Sequence, residues 1–484
     1  MMRTELQISY RLFPYERRFL KREISALGGK VLKLERPDTL VSNLDPAIAS
    51  QLTYIRWIND GNFRQVFTEQ AKRETKAKGT QDTRYGPHGL HEFKGKFNPQ
   101  TPRSLILQNY GRWNKGLPIL DPFMGSGTTL IEARHLGFLS EGIELNPLAV
   151  LISRAKLDWE KEPEVASIDH HDAVASTPCE IDIASHDYLK KWFPPQTLCE
   201  ILKLRTYFNH FPEPERRIAE VILSNRLRDY SWQDPGDLRI RRRSTIPQQQ
   251  SLISAFITNF NHSLECRKNW VRGRHTDLKI SSVCHNGNST NMEQRRGRGT
   301  IAGTVCSPPY ATALPYIDTY RLSLVVLNLI KPNEINGFEQ TLIGARDIDR
   351  LDHELFDERQ GTLPRECKDF INGLLRKTDG DTDAGFRKRA LPFALARYFF
   401  EMSRVFDELR QVEEPGSPNL WVIGTNRTRL LEREIIIPTP QLLGHLARAA
   451  GFKHVRFERL DAYGRYNIHS KNSIRSETLL SFDG

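Results

Sequence analysis

The stretch Asp121-Pro122-Phe123-Met124-Gly125-Ser126-Gly127-Thr128-Thr129 decides how this chain is read. The apolar Ile119 and Leu120 before it predict a buried strand, ILDPF, that opens into a glycine loop and then a helix, TTLIEARHL. A second strand, FLSEGIEL, and a second helix, PLAVLISRAKL, follow, with Pro147 in the first helical turn. From about 88 to 157 this is βαβ grammar. It predicts an α/β fold, a mostly parallel sheet covered by helices on both faces.

A glycine loop between a parallel strand and its helix lets backbone approach a ligand, because no Cβ intervenes. Gly125-Ser126-Gly127 lacks the third glycine of a dinucleotide fingerprint, and Asp121 precedes it on the strand end. That acid would repel a pyrophosphate but suits an ammonium group. At the next strand end Glu144, in GIELNP, stands where a carboxylate accepts both ribose hydroxyls. An amine on one side and a ribose on the other describe S-adenosylmethionine better than NAD. A glycine turn of no ligand consequence is the bland alternative, and the placement of Asp121 and Glu144 argues against it.

Downstream, TIAGTVC runs into Ser307-Pro308-Pro309-Tyr310. This predicts another strand end on the same edge of the sheet, where open α/β sheets place their ligands. The prolines fix the backbone and remove N–H donors. A carbonyl and the Ser307 hydroxyl can then accept hydrogen bonds from an exocyclic amine, while Tyr310 offers a face for a flat base. Cys306 adjoins the site and reads as a packing residue, since a carbon-5 cytosine enzyme would want a Pro-Cys pair.

The formal net charge is +11, from 70 Lys and Arg against 59 Asp and Glu, so a polyanionic partner is plausible. No stretch approaches the roughly 18 apolar residues of a membrane span. The charged start, MMRTELQISYRLFPYERRFLKRE, is unlike a secretory signal, so a cytoplasmic, nucleoid-associated protein is expected. The six cysteines, Cys179, Cys199, Cys266, Cys284, Cys306 and Cys367, show no metal spacing, and no metal site is expected.

Six regions are expected. Residues 1–80 form a small N-terminal α/β module, with strands LQISYRL and KVLKLE around the helix RRFLKREISAL, before a basic linker, AKRETKAKGTQDTRYG. Residues 81–157 hold the cofactor half and 158–275 an inserted helical, Arg-rich region. Residues 276–330 hold the catalytic half with a long helix from about Tyr316 to Leu329, 331–389 a second polar insertion, and 390–484 the rest of the sheet. That last region reads as a helix, PFALARYFFEMSRVFDELR, a strand, NLWVIGT, a helix, QLLGHLARAA, and two closing strands.

Together DPFMGSGTT and SPPY resemble the amino-group DNA methyltransferases, the N4-cytosine and N6-adenine family. The resemblance covers 88–157 and 276–330 well and 390–484 loosely. It implies a Rossmann-like methyltransferase fold with large inserted segments, S-adenosylmethionine as cofactor and double-stranded DNA as partner. A cognate restriction or defence component is a further partner it brings to mind. HGLHEFKGKFNP is similar to the family's upstream cofactor segment, in which Lys96 and Phe97 would contact the methionine end. Asp121, Phe123, Gly125, Gly127 and Thr128 would hold the methionine, Glu144 the ribose, and Ser307, Pro308, Pro309 and Tyr310 the target base. Near HNGNST the family often carries an Asp for the cofactor adenine; Asn288 stands there and can still accept through its carbonyl. SPPY, as opposed to DPPY or NPPY, leans toward cytosine N4.

Base extrusion needs a surface that grips phosphates. Arg239, Arg241, Arg242 and Arg243 form the densest cationic run; Arg267, Lys268, Arg272 and Arg274 surround Trp270; Arg295, Arg296 and Arg298 precede the catalytic strand. The 158–300 stretch is therefore expected to recognise the target, against the alternative of solvated arginine loops. Two other functions remain open. An RNA guanine-N2 methyltransferase shares a similar loop, with the N-terminal module and its Phe13-Pro14-Tyr15-Glu16 as an RNA-binding addition, but usually has an acid where Ser307 stands. The other is a binding subunit that keeps the fold without the chemistry.

Overall fold

The computed structural model describes residues 3–36, 38–59, 65–67, 82–165, 167–237, 240–246, 250–272, 280–292, 297–311, 316–345, 347–381, 385–431, 433–461 and 476–484. Residues 71–81 of the basic linker lie outside the described residues, as do Arg239, Arg274, Arg295 and Arg296.

The catalytic sheet has seven strands in the order β13-β14-β10-β9-β6-β7-β8. They are β6 (Ile119–Asp121), β7 (Ser140–Glu144), β8 (Ser282–Asn286), β9 (Thr304–Cys306), β10 (Pro418–Gly424), β13 (Lys453–Asp461) and β14 (Ser476–Asp483). β10, β9, β6, β7 and β8 run parallel, and β14 is antiparallel to both neighbours. This is the mixed, mostly parallel sheet expected of a Rossmann-like methyltransferase. Successive strand residues point to opposite faces. Leu120, Cys306, Trp421 and Ile423 accordingly join one buried apolar cluster, while Ile119, Val305, Leu420 and Val422 join another.

The N-terminal region is more than the expected pair of strands. An antiparallel sheet, β2-β3-β1-β4-β5, is built from β1 (Thr4–Ile8), β2 (Val31–Arg36), β3 (Thr39–Ser42), β4 (Ile55–Asn59) and β5 (Gln65–Phe67). Helices α1 (Pro14–Ala26) and α2 (Pro46–Ala49) accompany it. Its apolar residues Leu6, Phe19 and Ile58 share one core with Leu105 and Ile106 of α3 (Gln100–Gln108) and with Val305 and Leu420 of the catalytic sheet. The region covers one face of that sheet.

Next come α4 (Thr128–His135) and α5 (Pro147–Trp159). The first insertion supplies α6 (His170–Ala175), α7 (Ile183–Lys190), α8 (Pro195–Phe208), α9 (Glu213–Arg226) and α10 (Leu252–Arg272). These pack with Leu148 and Ile152 of α5 and with α11 (Tyr316–Val326) into an apolar cluster of their own. α11 stops three residues short of the expected Leu329, and Asn328 follows with φ 54°.

The second insertion, read as polar, is helical: α12 (Ile335–Gln340), α13 (Arg350–Glu354), α14 (Phe356–Thr362) and α15 (Arg365–Asp379). α16 (Phe386–Val412) begins six residues before the expected Pro392 and covers the opposite face of the sheet through Tyr398, Met402, Phe406 and Leu409. Between β10 and α17 (Thr439–Ala449) stands a hairpin that the sequence reading missed, β11 (Asn426–Leu430) with β12 (Arg433–Ile437).

Candidate active site

In β6 and β9 Leu120 lies opposite Thr304, so the carboxyl ends of two strands far apart in sequence are side by side. Asp121 and Ser307 follow from these ends. The carboxyl end of β7, with Glu144, is on the other side of β6.

Gly125 and Gly127 take φ values of 49° and 74°, a left-handed backbone that only glycine adopts without strain. A Cβ on Gly127 would stand 2.8 Å from Ser153 Oγ. A Cβ on Gly125 would meet nothing nearer than 3.8 Å, which leaves a cradle above the loop. Three side chains hold its backbone. The Gly125 N–H donates to Glu144 Oε2 at 3.1 Å, Ser153 Oγ donates to the Gly125 carbonyl at 2.9 Å, and Lys156 Nζ donates to the Ser126 carbonyl at 2.7 Å. Lys156 is fully buried, and desolvation holds its amine well below the usual lysine range.

Asp121 is 2% exposed, and its Oδ1 accepts the Phe123 N–H at 3.0 Å. Burial pushes its pKa up to about 7, and the nearby Glu144 pushes the same way; the Thr129 hydroxyl and the Phe123 N–H favour the ionised form but do not offset desolvation. Such an acid gains most from a cationic ligand. Glu144 is half-buried, its Oε1 accepts the Asn146 N–H at 2.8 Å, and burial raises its pKa. A carboxylate offers more accepting directions than these backbone donors use, so Glu144 can still accept from a ligand. The hydroxyls of Ser126 and Thr128 are buried in the loop without a hydrogen-bond partner among the described residues. An ammonium-and-ribose ligand fits this donor and acceptor set.

Asn288 follows β8 in a turn where its Oδ1 accepts the Thr290 N–H at 3.0 Å. The Gly287 N–H bonds the Glu144 carbonyl at 3.0 Å, and Ser289 Oγ donates to the Pro122 carbonyl, so this turn is tied to both neighbouring strand ends.

Two upstream residues, Lys96 and Phe97, have structural partners of their own. Lys96 Nζ donates to the carbonyls of Thr83 and His88, at 2.7 and 3.1 Å, and burial lowers its pKa to about 8. Phe97 packs against the core shared with the N-terminal region. The residue of this segment that reaches the glycine loop is Phe93, whose ring is the nearest atom group to the Gly125 cradle. Phe93 stacks on Tyr320 of α11 with ring centroids 5.1 Å apart and planes 3° apart. The segment is latched by Glu132 of α4, whose carboxylate receives Tyr85 Oη at 2.7 Å, His88 Nε2 at 2.8 Å and Arg103 Nη1 at 3.2 Å. Against desolvation, His135 first, then His88 and Arg103, hold Glu132 well below the usual carboxylate range, and burial lowers His88 to about 4. Nothing in residue type or spacing singled out Phe93, since the stack partner lies on a distant helix.

Of the catalytic loop, Pro308 is buried and Ser307, Pro309 and Tyr310 are half-buried. The Pro309 carbonyl accepts the hydroxyl of buried Tyr398 at 2.9 Å, which leaves the Ser307 hydroxyl and the Pro308 carbonyl as the acceptors to consider for an amine. Tyr310 Oη donates to Glu477 Oε1 at 3.2 Å, and burial raises the Glu477 pKa against that bond. Cys306 is fully buried, with its thiol pushed well up by desolvation, as a packing residue should be. Phe123 meets Trp421 edge-on at 6.1 Å on the face toward α16.

The arginines divide. Arg241 and Arg242 are exposed, and Arg242 lies over the Trp232 ring at 5.3 Å. Their loop reaches the start of α11 through Gln233 Nε2, which donates to the Asp318 carbonyl at 3.2 Å. Arg243 is spent on structure: its guanidinium donates to the carbonyls of Ser231 and Asp229. Arg267 is buried in an ion pair with Glu215 at 2.7 Å. Trp270 packs on His135 and Trp159, the last residues of α4 and α5, so it carries Arg272 to the end of the sheet remote from the glycine loop. Lys268 pairs with Glu265, and Arg298 is exposed. A cavity of about 710 Å³, lined by Arg22, Gln108, Leu420 and Asp483, also lies at that remote end.

All six cysteines are free thiols, and no group of His, Cys, Asp or Glu among the described residues could hold a metal. Among the described residues no helix is long and apolar enough to cross a membrane.

Comparison with known proteins bears on the same region. The model of a DNA methylase family, of N6 and N4 amino-group specificity, matches residues 42–154. A type II methyltransferase of Methanocaldococcus jannaschii, M.MjaII, is 44% identical over 70 residues, 14% of this chain and 13% of that protein. M.BsoBI of Geobacillus stearothermophilus is 23% identical over 451 residues, 80% of this chain and 85% of that protein. M.MvaI of Kocuria varians is 20% identical over 400 residues, 76% and 82% of the two chains.

Proposed function

On the premise that this chain falls in the amino-group DNA methyltransferase family, whose methyl donor is S-adenosylmethionine, we propose that it methylates the N4 amine of a cytosine extruded from duplex DNA. The observation that carries this reading is the adjacency of β6 and β9, which sets the buried Asp121 carboxylate beside the Ser307–Tyr310 loop.

Asp121 holds the ammonium of the donor, Glu144 its ribose, and the cradle over Gly125, walled by Phe93, takes its methionine end. Bound there, S-adenosylmethionine supplies an electrophilic methyl carbon. Ser307 and the Pro308 carbonyl accept hydrogen bonds from the target amine, moving its nitrogen toward sp³ and freeing the lone pair from the ring. With the donor bound, that lone pair would form the nitrogen–carbon bond as the sulfur–carbon bond breaks, and the amine would then give up one proton to solvent. Tyr310 stacks the base, and positioning with local electrostatics does the rest. SPPY, in place of DPPY or NPPY, is what favours cytosine. Arg241 and Arg242, exposed on a loop bonded near the start of α11, would meet the DNA backbone.

Incubation with tritiated S-adenosylmethionine and duplex DNA, followed by mass spectrometry of the nucleosides, tests the reading. N4-methylcytosine is expected. N6-methyladenine would replace the base assignment, label in tRNA alone would replace the substrate, and cofactor binding without transfer to any nucleic acid would leave a binding subunit.

A further inference from the structure

α16 runs antiparallel to β9. Its last residue, Val412, bonds the Thr300 N–H before the strand at 2.8 Å, and Tyr398 bonds Pro309 after it. The twelve residues from Tyr398 back to Phe386, with Pro392 inside the helix, continue it past the catalytic loop's end of β9 through about 18 Å of helix at 1.5 Å per residue. At that overhanging tip Phe386 is 74% exposed and is followed by Arg387, Lys388 and Arg389. Both features violate local rules. Cations in the first turn oppose the helix dipole, which favours acids there. A large aromatic ring gains nothing from water. Residues placed against local preference point to a function made elsewhere.

The β11–β12 hairpin reaches the same place. It leaves β10 at Gly424, directly opposite Glu477, the partner of Tyr310. Its tip is fixed to the turn before α16, where Asp381 Oδ2 accepts the Leu431 N–H at 2.9 Å. Arg427 and Arg429 are exposed on one side of this ribbon, and Ile436 is 53% exposed. Of the acids nearby, Asp381 is turned inward by that bond, Asp379 is exposed and Glu434 pairs with Arg427 at 3.3 Å. Asp383 and Glu432 lie outside the described residues.

We propose that the tip of α16 and the β11–β12 hairpin form a second DNA-gripping surface, in which Arg387, Lys388, Arg427 and Arg429 hold the phosphates flanking the extruded base and Phe386 packs against an unstacked base step. Ribbons and helix tips fit grooves, cations fit phosphates, and apolar wedges stabilise opened steps. This rests on the DNA reading above and assigns to 331–389 a role distinct from the arginines of the first insertion.

The test compares wild type, R387A/K388A and F386A for binding to duplex DNA with 2-aminopurine beside the target, with sinefungin present, at several salt concentrations. Removing two phosphate contacts should lower the slope of log affinity against log salt by about 2, at about 0.9 per contact. F386A should weaken binding roughly tenfold with its salt slope unchanged and lower the 2-aminopurine signal. Variants with wild-type Tm that bind like wild type at every salt would overturn the surface while the methylation assay leaves the function standing. A wild type that neither binds nor methylates DNA would overturn both.

Discussion

The two halves of the site are held in different ways. Around the glycine loop the bracing bonds span 19, 28 and 30 residues, from Gly125 to Glu144, Gly125 to Ser153 and Ser126 to Lys156. Around the catalytic loop they span 89 and 167 residues, from Pro309 to Tyr398 and Tyr310 to Glu477. The glycine loop itself is braced within one βαβ unit, while Ser289 and the Phe93–Tyr320 stack reach it from farther along the chain. The catalytic half is braced only when α16 and β14 have docked.

The comparison breaks most plainly at Asp121. D121N keeps the shape and removes the charge, so cofactor affinity should fall about 100-fold, the scale of a lost charged hydrogen bond. Calorimetry with sinefungin measures this. The free acid has its pKa pushed up to about 7, and a cationic ligand binds the ionised form. Wild-type affinity should therefore rise as pH climbs from 6 to 8, by at most about tenfold per unit below 7, and D121N should lose that dependence. A flat wild-type profile would remove Asp121 from the ammonium.

G127A comes next. Its Cβ would stand 2.8 Å from Ser153 Oγ on a φ of 74°, so a stability loss of about 2 kcal/mol is expected. Because the loop is locally built, cofactor affinity should fall with Tm while catalytic-loop geometry is kept.

Y398F removes one hydroxyl and leaves the Pro309 carbonyl without that partner, at a cost of about 1–2 kcal/mol in denaturant unfolding. It should lower kcat and spare cofactor affinity; a loss confined to cofactor binding would contradict the separation of the halves. E477Q should do least. Glutamine can still accept from Tyr310, so turnover should change by a few-fold at most, with E477A lower.

The strands and helices around DPFMGSGTT were legible because apolar period, glycine and proline all agree locally. Asp121 and Glu144 were legible too, since strand ends in a parallel sheet share one edge. Phe93 was missed because its stack on Tyr320 depends on a helix 227 residues away. Arg243 and Arg267 looked like their neighbours in sequence; one binds carbonyls and the other Glu215. The β11–β12 hairpin escaped because NRTRLLEREIII mixes exposed Ile436 with buried Ile437, which blurs a two-residue alternation.

The order of residues alone dictated a parallel sheet, a glycine loop with its two acids, and a proline-rigid catalytic turn, because each follows from contacts within a few tens of residues. Which arginines stay exposed, which aromatic ring stands over Gly125, and what pins Pro309 and Tyr310 were decided by folding. Those choices rest on burial and on partners hundreds of positions apart, and no local pattern encodes such distances.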